Sequence, residues 1–268
     1  MNNKILCSTG ALIGKVNGFD HTIAIRYRRE IICDGFELMV LPAWYGRFDS
    51  IAGDFERADM QFDVLHIEKE IGMILSLGGE ESQHGIELFC ENCRLAKMVG
   101  ARKVVLHLWG GAPSDSHFEK NLAAYPKLCE IAEQAGILLT VENIPCTTYD
   151  PMRIFHRIIQ QNPDVRFTFD TRFGAFHKQL FDMIDDADIF PRVAHMHISD
   201  YGGNGMEWGK IRPILHPTEG VIPFEDFFAA LKPRYFGSIT LESPVMYEGG
   251  HDIAKLNQSL SYIREHMC

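Results

Sequence analysis

Apolar, β-branched runs alternate with longer amphipathic segments from one end of the chain to the other. The runs predicted as strands are residues 5–8, 36–41, 62–66, 103–107, 138–142, 165–170, 193–197 and 238–242. The segments predicted as helices include 85–98, 118–134, 151–161, 178–184, 224–231 and 253–265. Such alternation is typical of parallel strands that are joined by helical crossovers.

The number of strands and the chain length favour a closed barrel over an open sheet. With 268 residues, the chain has the length of one (β/α)8 TIM barrel, which takes about 250 residues. A doubly wound sheet is the alternative, but the turn from Gly10 to Gly14 lacks the G-x-G-x-x-G order that such folds carry after the first strand. We predict a single TIM-barrel domain over residues 1–268.

Four of the predicted strands end in a side chain that can bind a metal ion. These side chains are Glu142, Asp170, His197 and Glu242. The carboxyl ends of the strands of one barrel converge, so we expect the four to lie together. Three carboxylates and one imidazole suit Mn²⁺, Mg²⁺ or Co²⁺, and the imidazole also admits Zn²⁺. The sequence therefore predicts one divalent metal ion at these residues.

A second polar layer is predicted directly beneath this metal site. Side chains two residues apart in a strand point to the same face, so Thr140 lies under Glu142. The same spacing places Thr168, His195 and Thr240 under the other three predicted ligands. Buried hydroxyl and imidazole groups cost free energy unless they are hydrogen-bonded, which favours a supporting role for this layer.

Other residues near the predicted strand ends are candidates for substrate binding. They are His66, His107, Trp109, Lys210, Arg212 and His216. Each also has a plain structural alternative, because a histidine or tryptophan can pack in the core and a loop charge can remain in solvent. Cys90 and Cys93 have a metal-like spacing, but they lie in a predicted helix without a second pair, which favours ordinary helix residues.

The net charge, the cysteine content and the distribution of apolar residues argue against several classes of protein. A net charge of −10 argues against a nucleic-acid surface, which needs clustered lysine and arginine. Seven cysteines without regular spacing indicate reduced thiols more than a disulfide framework. The first residues, Met1 to Lys4, lack the apolar length of a secretory leader, and no run approaches roughly 20 apolar residues, so we expect a cytoplasmic protein without a membrane partner.

Five motifs carry a resemblance to a known family. They are Val141-Glu142-Asn143, Phe169-Asp170-Thr171, the run from His195 to Asp200, the run from His216 to Gly220, and Leu241-Glu242-Ser243. In this order they resemble the sugar phosphate isomerase/epimerase family. Its barrel is the xylose isomerase-like one, shared with inosose isomerase, tagatose 3-epimerase and endonuclease IV.

The resemblance implies an enzyme with a divalent metal at the four predicted ligands and a carbohydrate substrate. In the epimerase relatives the two glutamates, here Glu142 and Glu242, exchange protons with opposite faces of a substrate carbon. We therefore expect an isomerase or epimerase of a sugar, sugar phosphate or cyclitol ketone that acts through an enediolate. The oligomeric state, including a homo-oligomer, stays open.

Two departures from the relatives shape the alternatives. Where endonuclease-type relatives carry further metal ligands, this chain has Phe173 and Ile214, which disfavours DNA repair. At the position of Phe173, the epimerases also carry a histidine, and that histidine faces the substrate. A hydrolase or a lyase/dehydratase on the same barrel is the main alternative, because the fold does not fix the reaction. A metabolite-binding barrel without catalysis is the remaining one.

Overall fold

The computed structural model describes residues 3–111 and 114–268. Its centre is a closed barrel of parallel strands that follow one another around the barrel in chain order. The strands are β1 (Ile5–Ser8), β2 (Gly35–Met39), β3 (Val64–His66), β4 (Lys103–Leu106), β5 (Leu138–Glu142), β6 (Arg166–Asp170), β7 (Val193–Ile198) and β8 (Ser238–Leu241). The prediction of a TIM barrel is confirmed.

Helices surround the barrel and connect its strands. They are α1 (Thr22–Tyr27), α2 (Phe48–Arg57), α3 (Ile71–Leu77), α4 (Gly79–Met98), α5 (Phe118–Ala135), α6 (Pro151–Gln161), α7 (Thr171–Phe176), α8 (Leu180–Asp185), α9 (Phe224–Leu231) and α10 (Ile253–Met267). A two-stranded hairpin of Met246–Tyr247 and Gly250–His251 precedes α10.

The helix predictions are confirmed where a strong start signal is present. The side chain of Asp150 accepts the backbone N–H of Arg153 and caps α6, and Pro151 occupies the first helical position. The helix predicted over 178–184 corresponds to α8, which begins two residues later at Leu180. The preceding α7 was not predicted, and Lys178 between the two helices has a φ of +58°. The left-handed backbone of Lys178 ends the first helix before the second begins.

Most of the apolar core lies between the barrel and its helices. Phe155 of α6 stacks on Phe167 of β6 with ring centroids 3.8 Å apart. Inside the barrel the side chains are largely polar near the carboxyl ends of β5 to β8, which places the candidate site there. Within the described ranges, no helix is long and apolar enough to cross a membrane. All seven cysteines are free thiols, and Cys90 and Cys93 lie in α4.

Candidate metal centre

Glu142, Asp170, His197 and Glu242 form one cluster at the carboxyl ends of four consecutive strands. Each contributes a ligand atom, and these atoms all lie within 4.8 Å of one another. All four side chains are buried. We call this set the donor ring. The prediction that the four strand ends converge on one place is confirmed by the fold, while the bound metal stays a prediction.

Side-chain hydrogen bonds just beyond the strand ends fix the positions of Glu142 and Asp170. The Asn143 amide donates to the backbone carbonyl of Asp170 at 3.1 Å, and the Asp170 N–H donates to Asn143 Oδ1 at 2.7 Å. This pair continues the contact between β5 and β6 by one residue. It explains why an asparagine directly follows the first glutamate of the ring.

The other two ring members are placed by the pairing of β6, β7 and β8. Asp170 and His197 are direct partners in the β6–β7 register. Glu242 lies one residue past β8, yet its N–H still donates to the Ile198 carbonyl at 3.1 Å. Continuous backbone pairing therefore carries the ring across the three strands.

The hydrogen bonding of the ring fits a divalent cation. Among the described residues, Asp170 Oδ2 and Glu242 Oε1 are buried and have no hydrogen-bond partner. Glu142 Oε2 also makes no hydrogen bond within the described residues, although His107 Nε2 lies 2.7 Å and His66 Nε2 3.4 Å from it. Buried carboxylate oxygens without partners are costly, and a cation that binds them removes that cost. Oxygen ligands with one imidazole match the preference of Mn²⁺, Co²⁺ or Zn²⁺.

The pKa values in the ring reflect burial and crowded negative charge. Burial raises the pKa of Asp170 to about 7; Arg172 opposes this shift, while Glu142 and Glu242 add to it. Burial also disfavours charge on Glu142 and on His197. The nearby carboxylates of Glu242, Glu37 and Glu142 outweigh burial at His197, so its pKa rises well above the usual range. His197 and His107 likewise hold the pKa of Glu142 well below its usual range.

His197 is oriented by carboxylates on both of its ring nitrogens. Nδ1 faces the donor ring, 2.8 Å from Glu142 Oε1 and 3.6 Å from Glu242 Oε1. Nε2 points down the barrel to Glu37, at 3.2 Å from Oε2. A metal ion in the ring would therefore meet Nδ1.

His66 and His107 stand beside Glu142 on the other side of the ring. His66 Nδ1 lies 2.8 Å from the Ile67 carbonyl, and its Nε2 lies 3.4 Å from Glu142 Oε2. Burial lowers the pKa of His107 to about 3 despite the nearby Glu142, so its imidazole is neutral at pH 7. Both predicted substrate-binding histidines thus lie at the site, where either ring can meet a substrate oxygen.

The predicted layer beneath the ring is present and is internally hydrogen-bonded. Thr140 Oγ1 donates to the Val104 carbonyl and meets Thr168 Oγ1 at 2.7 Å. Thr240 Oγ1 donates to Glu37 Oε2 at 2.8 Å. We call Glu37, Thr140, Thr168, His195 and Thr240 the support layer.

Glu37 is the residue that sequence reasoning missed. It lies in β2, is fully buried, and contacts His195, His197 and Thr240. A glutamate in the middle of the apolar stretch Phe36 to Leu41 was the available signal, because an isolated charge is rarely buried without partners.

Trp109 and His216 are held by the protein itself. Trp109 is fully buried, its indole N–H donates to the Ile144 carbonyl, and its ring packs edge-on against Phe118. His216 is buried, with Nδ1 2.8 Å from Ser259 Oγ and Nε2 3.3 Å from the Pro244 carbonyl. These contacts account for both side chains by packing and loop anchoring.

Lys210 and Arg212 lie exposed on the long loop between β7 and α9. Phe173, at the position of an endonuclease-type ligand, is buried under the guanidinium of Arg172, 4.2 Å from its ring centre. Arg172 also approaches the ring, with Nη2 3.6 Å from Asp170 Oδ2. An arginine and a phenylalanine thus lie beside Asp170 on this side of the ring.

Comparisons with known proteins agree with the barrel fold. A family model described as xylose isomerase-like TIM barrel matches residues 30–266. D-allulose 3-epimerase from Methylomonas sp., solved in complex with D-allulose, is 16% identical with a TM-score of 0.71, over 99% of this chain and 97% of that one. No curated protein matches the chain.

Two further solved structures share the fold. 3-Keto-D-glucoside 4-epimerase from E. coli is 17% identical with a TM-score of 0.70, covering 98% of this chain and 99% of that one. A probable 3-DHS dehydratase from Bacillus anthracis is 14% identical with a TM-score of 0.67, covering 97% and 98%. At these identities the likeness establishes the fold, and the reaction has to be argued from the site.

Proposed function

This chain belongs to the xylose isomerase-like TIM barrel family, and from that premise we propose that it is a divalent-metal-dependent sugar epimerase or isomerase. The observation that carries the proposal is the donor ring, in which four buried ligand atoms lie within 4.8 Å of one another. Within the described part of the chain, its buried carboxylate oxygens include ones that accept no hydrogen bond, and a cation would satisfy them.

The reaction class follows from what these residues can do to a polyhydroxy ketone. A divalent ion held by Glu142, Asp170, His197 and Glu242 supplies Lewis acidity that makes the C–H next to a carbonyl more acidic. One of the two glutamates removes that proton as general base, and the enediolate of the substrate forms. Return of a proton to the opposite face by the other glutamate, which takes that proton up from solvent, inverts the carbon, whereas return to the neighbouring carbon moves the carbonyl.

Substrate binding is proposed to involve His66, His107 and the long loop. His66 Nε2 is buried and has no hydrogen-bond partner among the described residues, so a substrate hydroxyl can donate to it. His107 is neutral and lies beside Glu142, where it can hold a second oxygen. Lys210 and Arg212 remain candidates for a phosphate or carboxylate of the substrate, because both are exposed and positively charged.

The test combines metal analysis with a screen for solvent deuterium exchange. Purified protein is loaded with Mn²⁺, Co²⁺, Zn²⁺ or Mg²⁺, its bound metal is counted, and ketoses, their phosphates and inososes are incubated in D₂O. We expect one metal per chain and deuterium at the carbon next to the carbonyl of at least one substrate. A protein that binds none of the four metals would contradict the proposal.

A dehydratase is the second candidate, because a neighbour in fold carries that name. Elimination of water also begins with removal of a proton next to a carbonyl, so it would use the same glutamates. The same incubation separates the two reactions. An epimerase returns a deuterated sugar of unchanged elemental composition, apart from the isotope, and a dehydratase returns a product that has lost water.

A further inference from the structure

Glu37 lies below the donor ring and forms a hydrogen bond with one of its members, His197. It is fully buried in β2, and its Oε2 lies 3.2 Å from His197 Nε2, 2.8 Å from His195 Nε2 and 2.8 Å from Thr240 Oγ1. Its Oε1 lies 3.1 Å from His197 Nε2. The carboxylate therefore faces three donors and holds the side of His197 that points away from the ring.

A chain of hydrogen bonds leads to Glu37 from the opposite end of the barrel. Lys103 Nζ donates to Ser238 Oγ at 2.9 Å and to the Ala194 carbonyl at 2.6 Å. Ser238 Oγ lies 2.7 Å from His195 Nδ1, and His195 Nε2 reaches Glu37. Lysine at one end only donates and a carboxylate at the other only accepts, so His195 Nε2 carries the N–H.

The same reasoning fixes the protonation of His197. Glu37 has no proton to give at neutral pH, so His197 Nε2 donates to it. Glu142 Oε1, 2.8 Å from Nδ1, likewise only accepts, so Nδ1 carries a proton in the metal-free ring, and a cation there takes the place of that proton while Nε2–H stays on Glu37. A histidine that ligates a metal through one nitrogen commonly donates the other N–H to a carboxylate, which sets the ring orientation and raises the basicity of the ligating nitrogen.

We propose that Glu37 is the positioning residue of the metal centre: it holds His197 Nε2–H so that Nδ1 is presented to the divalent cation. This inference rests on the proposed function, since it concerns the same metal. Glu37 itself touches neither substrate nor the ring oxygens in this role. Its effect passes through the orientation and tautomer of His197.

The test measures Co²⁺ affinity by titration calorimetry in the wild type, Glu37→Gln and Glu37→Asp. Loss of an outer carboxylate partner usually weakens metal binding about 10- to 100-fold, and we expect that loss in Glu37→Gln. Glu37→Asp keeps the charge but shortens the reach, so it separates positioning from simple attraction between charges. We expect it to bind Co²⁺ at least several-fold more weakly than the wild type.

Asp200→Asn is the matched control for removing a buried carboxylate. Asp200 is fully buried and accepts the N–H groups of Tyr201, Gly220 and Ile222, none of which belongs to the ring. We expect this variant to unfold more easily but to keep wild-type Co²⁺ affinity. A similar loss of affinity in Asp200→Asn would mean that general loosening of the barrel explains the Glu37 variants.

A spectroscopic measurement on the wild type does not depend on the folding of any variant. In Zn²⁺-loaded protein with ¹⁵N-labelled histidine, we expect the His197 signals of a ring with metal on Nδ1 and hydrogen on Nε2. The reverse assignment would overturn the inference, as would unchanged Co²⁺ affinity in both Glu37 variants. A wild type that binds no metal would instead overturn the proposed function and this inference with it.

Discussion

The donor ring and the support layer, apart from Glu37 of β2, come from the same four strands, two residues apart, but they differ in how their polar atoms are satisfied. In the layer, Thr140 pairs with Thr168, and His195 and Thr240 both reach Glu37. In the ring, carboxylate oxygens of Asp170 and Glu242 lack partners among the described residues.

This difference indicates which residues bind a cation or substrate and which residues only support them. Buried polar groups that satisfy one another hold a unique packing and need nothing from outside. Buried carboxylates left without partners store an unfavourable energy that a cation or substrate relieves. If this contrast is right, substitutions in the ring should affect chemistry and metal binding. Substitutions in the layer, apart from those of Glu37, which contacts His197 directly, should mainly affect folding stability.

The largest expected effect comes from the two glutamates of the ring. Glu142→Gln and Glu242→Gln keep the side-chain volume but remove the general base and one negative charge. Loss of a positioned general base costs about 10² to 10⁴ in rate, so each variant should lose most deuterium exchange at the carbon next to the carbonyl. The measurement uses the substrate found in the exchange screen, with metal occupancy determined for each protein.

Glu133→Gln, an exposed change on α5, serves as the control and should exchange like the wild type. Near-wild-type exchange by both metal-loaded ring variants would remove the two-carboxylate mechanism and shift attention to His66 and His107. If a ring variant loses both deuterium exchange and bound metal, its exchange is measured again at a higher metal concentration. That measurement separates weaker metal binding from the loss of the general base.

Protons that compete with the metal for the ring ligands should have a smaller effect, and this effect is on the apparent metal affinity. The surrounding carboxylates raise the pKa of His197 well above its usual range despite its burial, and burial raises the pKa of Asp170 to about 7. Both groups must be unprotonated to bind a cation, so metal binding near pH 7 should release between one and two protons. Apparent affinity should therefore rise with pH, by up to about tenfold per unit for each competing proton.

Calorimetry of Co²⁺ binding in two buffers of different ionisation enthalpy counts these protons. The sign follows from the direction of the shifts: below the pKa of His197 the proton occupies Nδ1, and above it the nitrogen is free. Equal heats in both buffers would mean that no proton leaves. The donor ring would then not be the binding site.

The fold and the ring could be predicted because each depends on the local pattern of apolar residues and on one rule of barrel topology. Alternating runs predict the barrel, and the carboxyl ends of its strands converge, so Glu142, Asp170, His197 and Glu242 are found from spacing alone. Glu37 could not be found this way because it lies in β2, far along the chain from its partners in β7 and β8. Only closure of the barrel brings these strands together.

Packing details of single side chains were also beyond the sequence. Trp109 and His216 follow strand ends or lie in a loop motif, as binding residues do, yet both are engaged by backbone carbonyls or a serine. The break between α7 and α8 depends on one left-handed residue, Lys178, for which lysine gives no signal. Spacing predicts which strand end a residue occupies, but not whether its polar atoms are already bonded.

The smallest expected effects lie in the support layer, where Thr140 and Thr168 form a closed pair. Thr140→Val leaves the Thr168 hydroxyl without this partner, and a buried polar group that loses its partner costs about 1 to 3 kcal/mol of unfolding free energy. Thr168→Val should cost a similar amount. Replacing both by valine removes both hydroxyls in the same shape, so the double variant should cost less than the sum of the singles.

Urea unfolding of the four proteins gives this coupling energy, and Co²⁺ titration of the same samples tests the contrast between layer and ring. Because the two hydroxyls bond to each other and to the Val104 carbonyl, we expect metal affinity to stay within about threefold of wild type. If Co²⁺ affinity fell in step with the unfolding free energy across these variants, the division between ring and layer would be contradicted. Such a result would mean that the ring depends on the whole layer beneath it, and that Glu37 is one of several supports rather than the one that acts on His197.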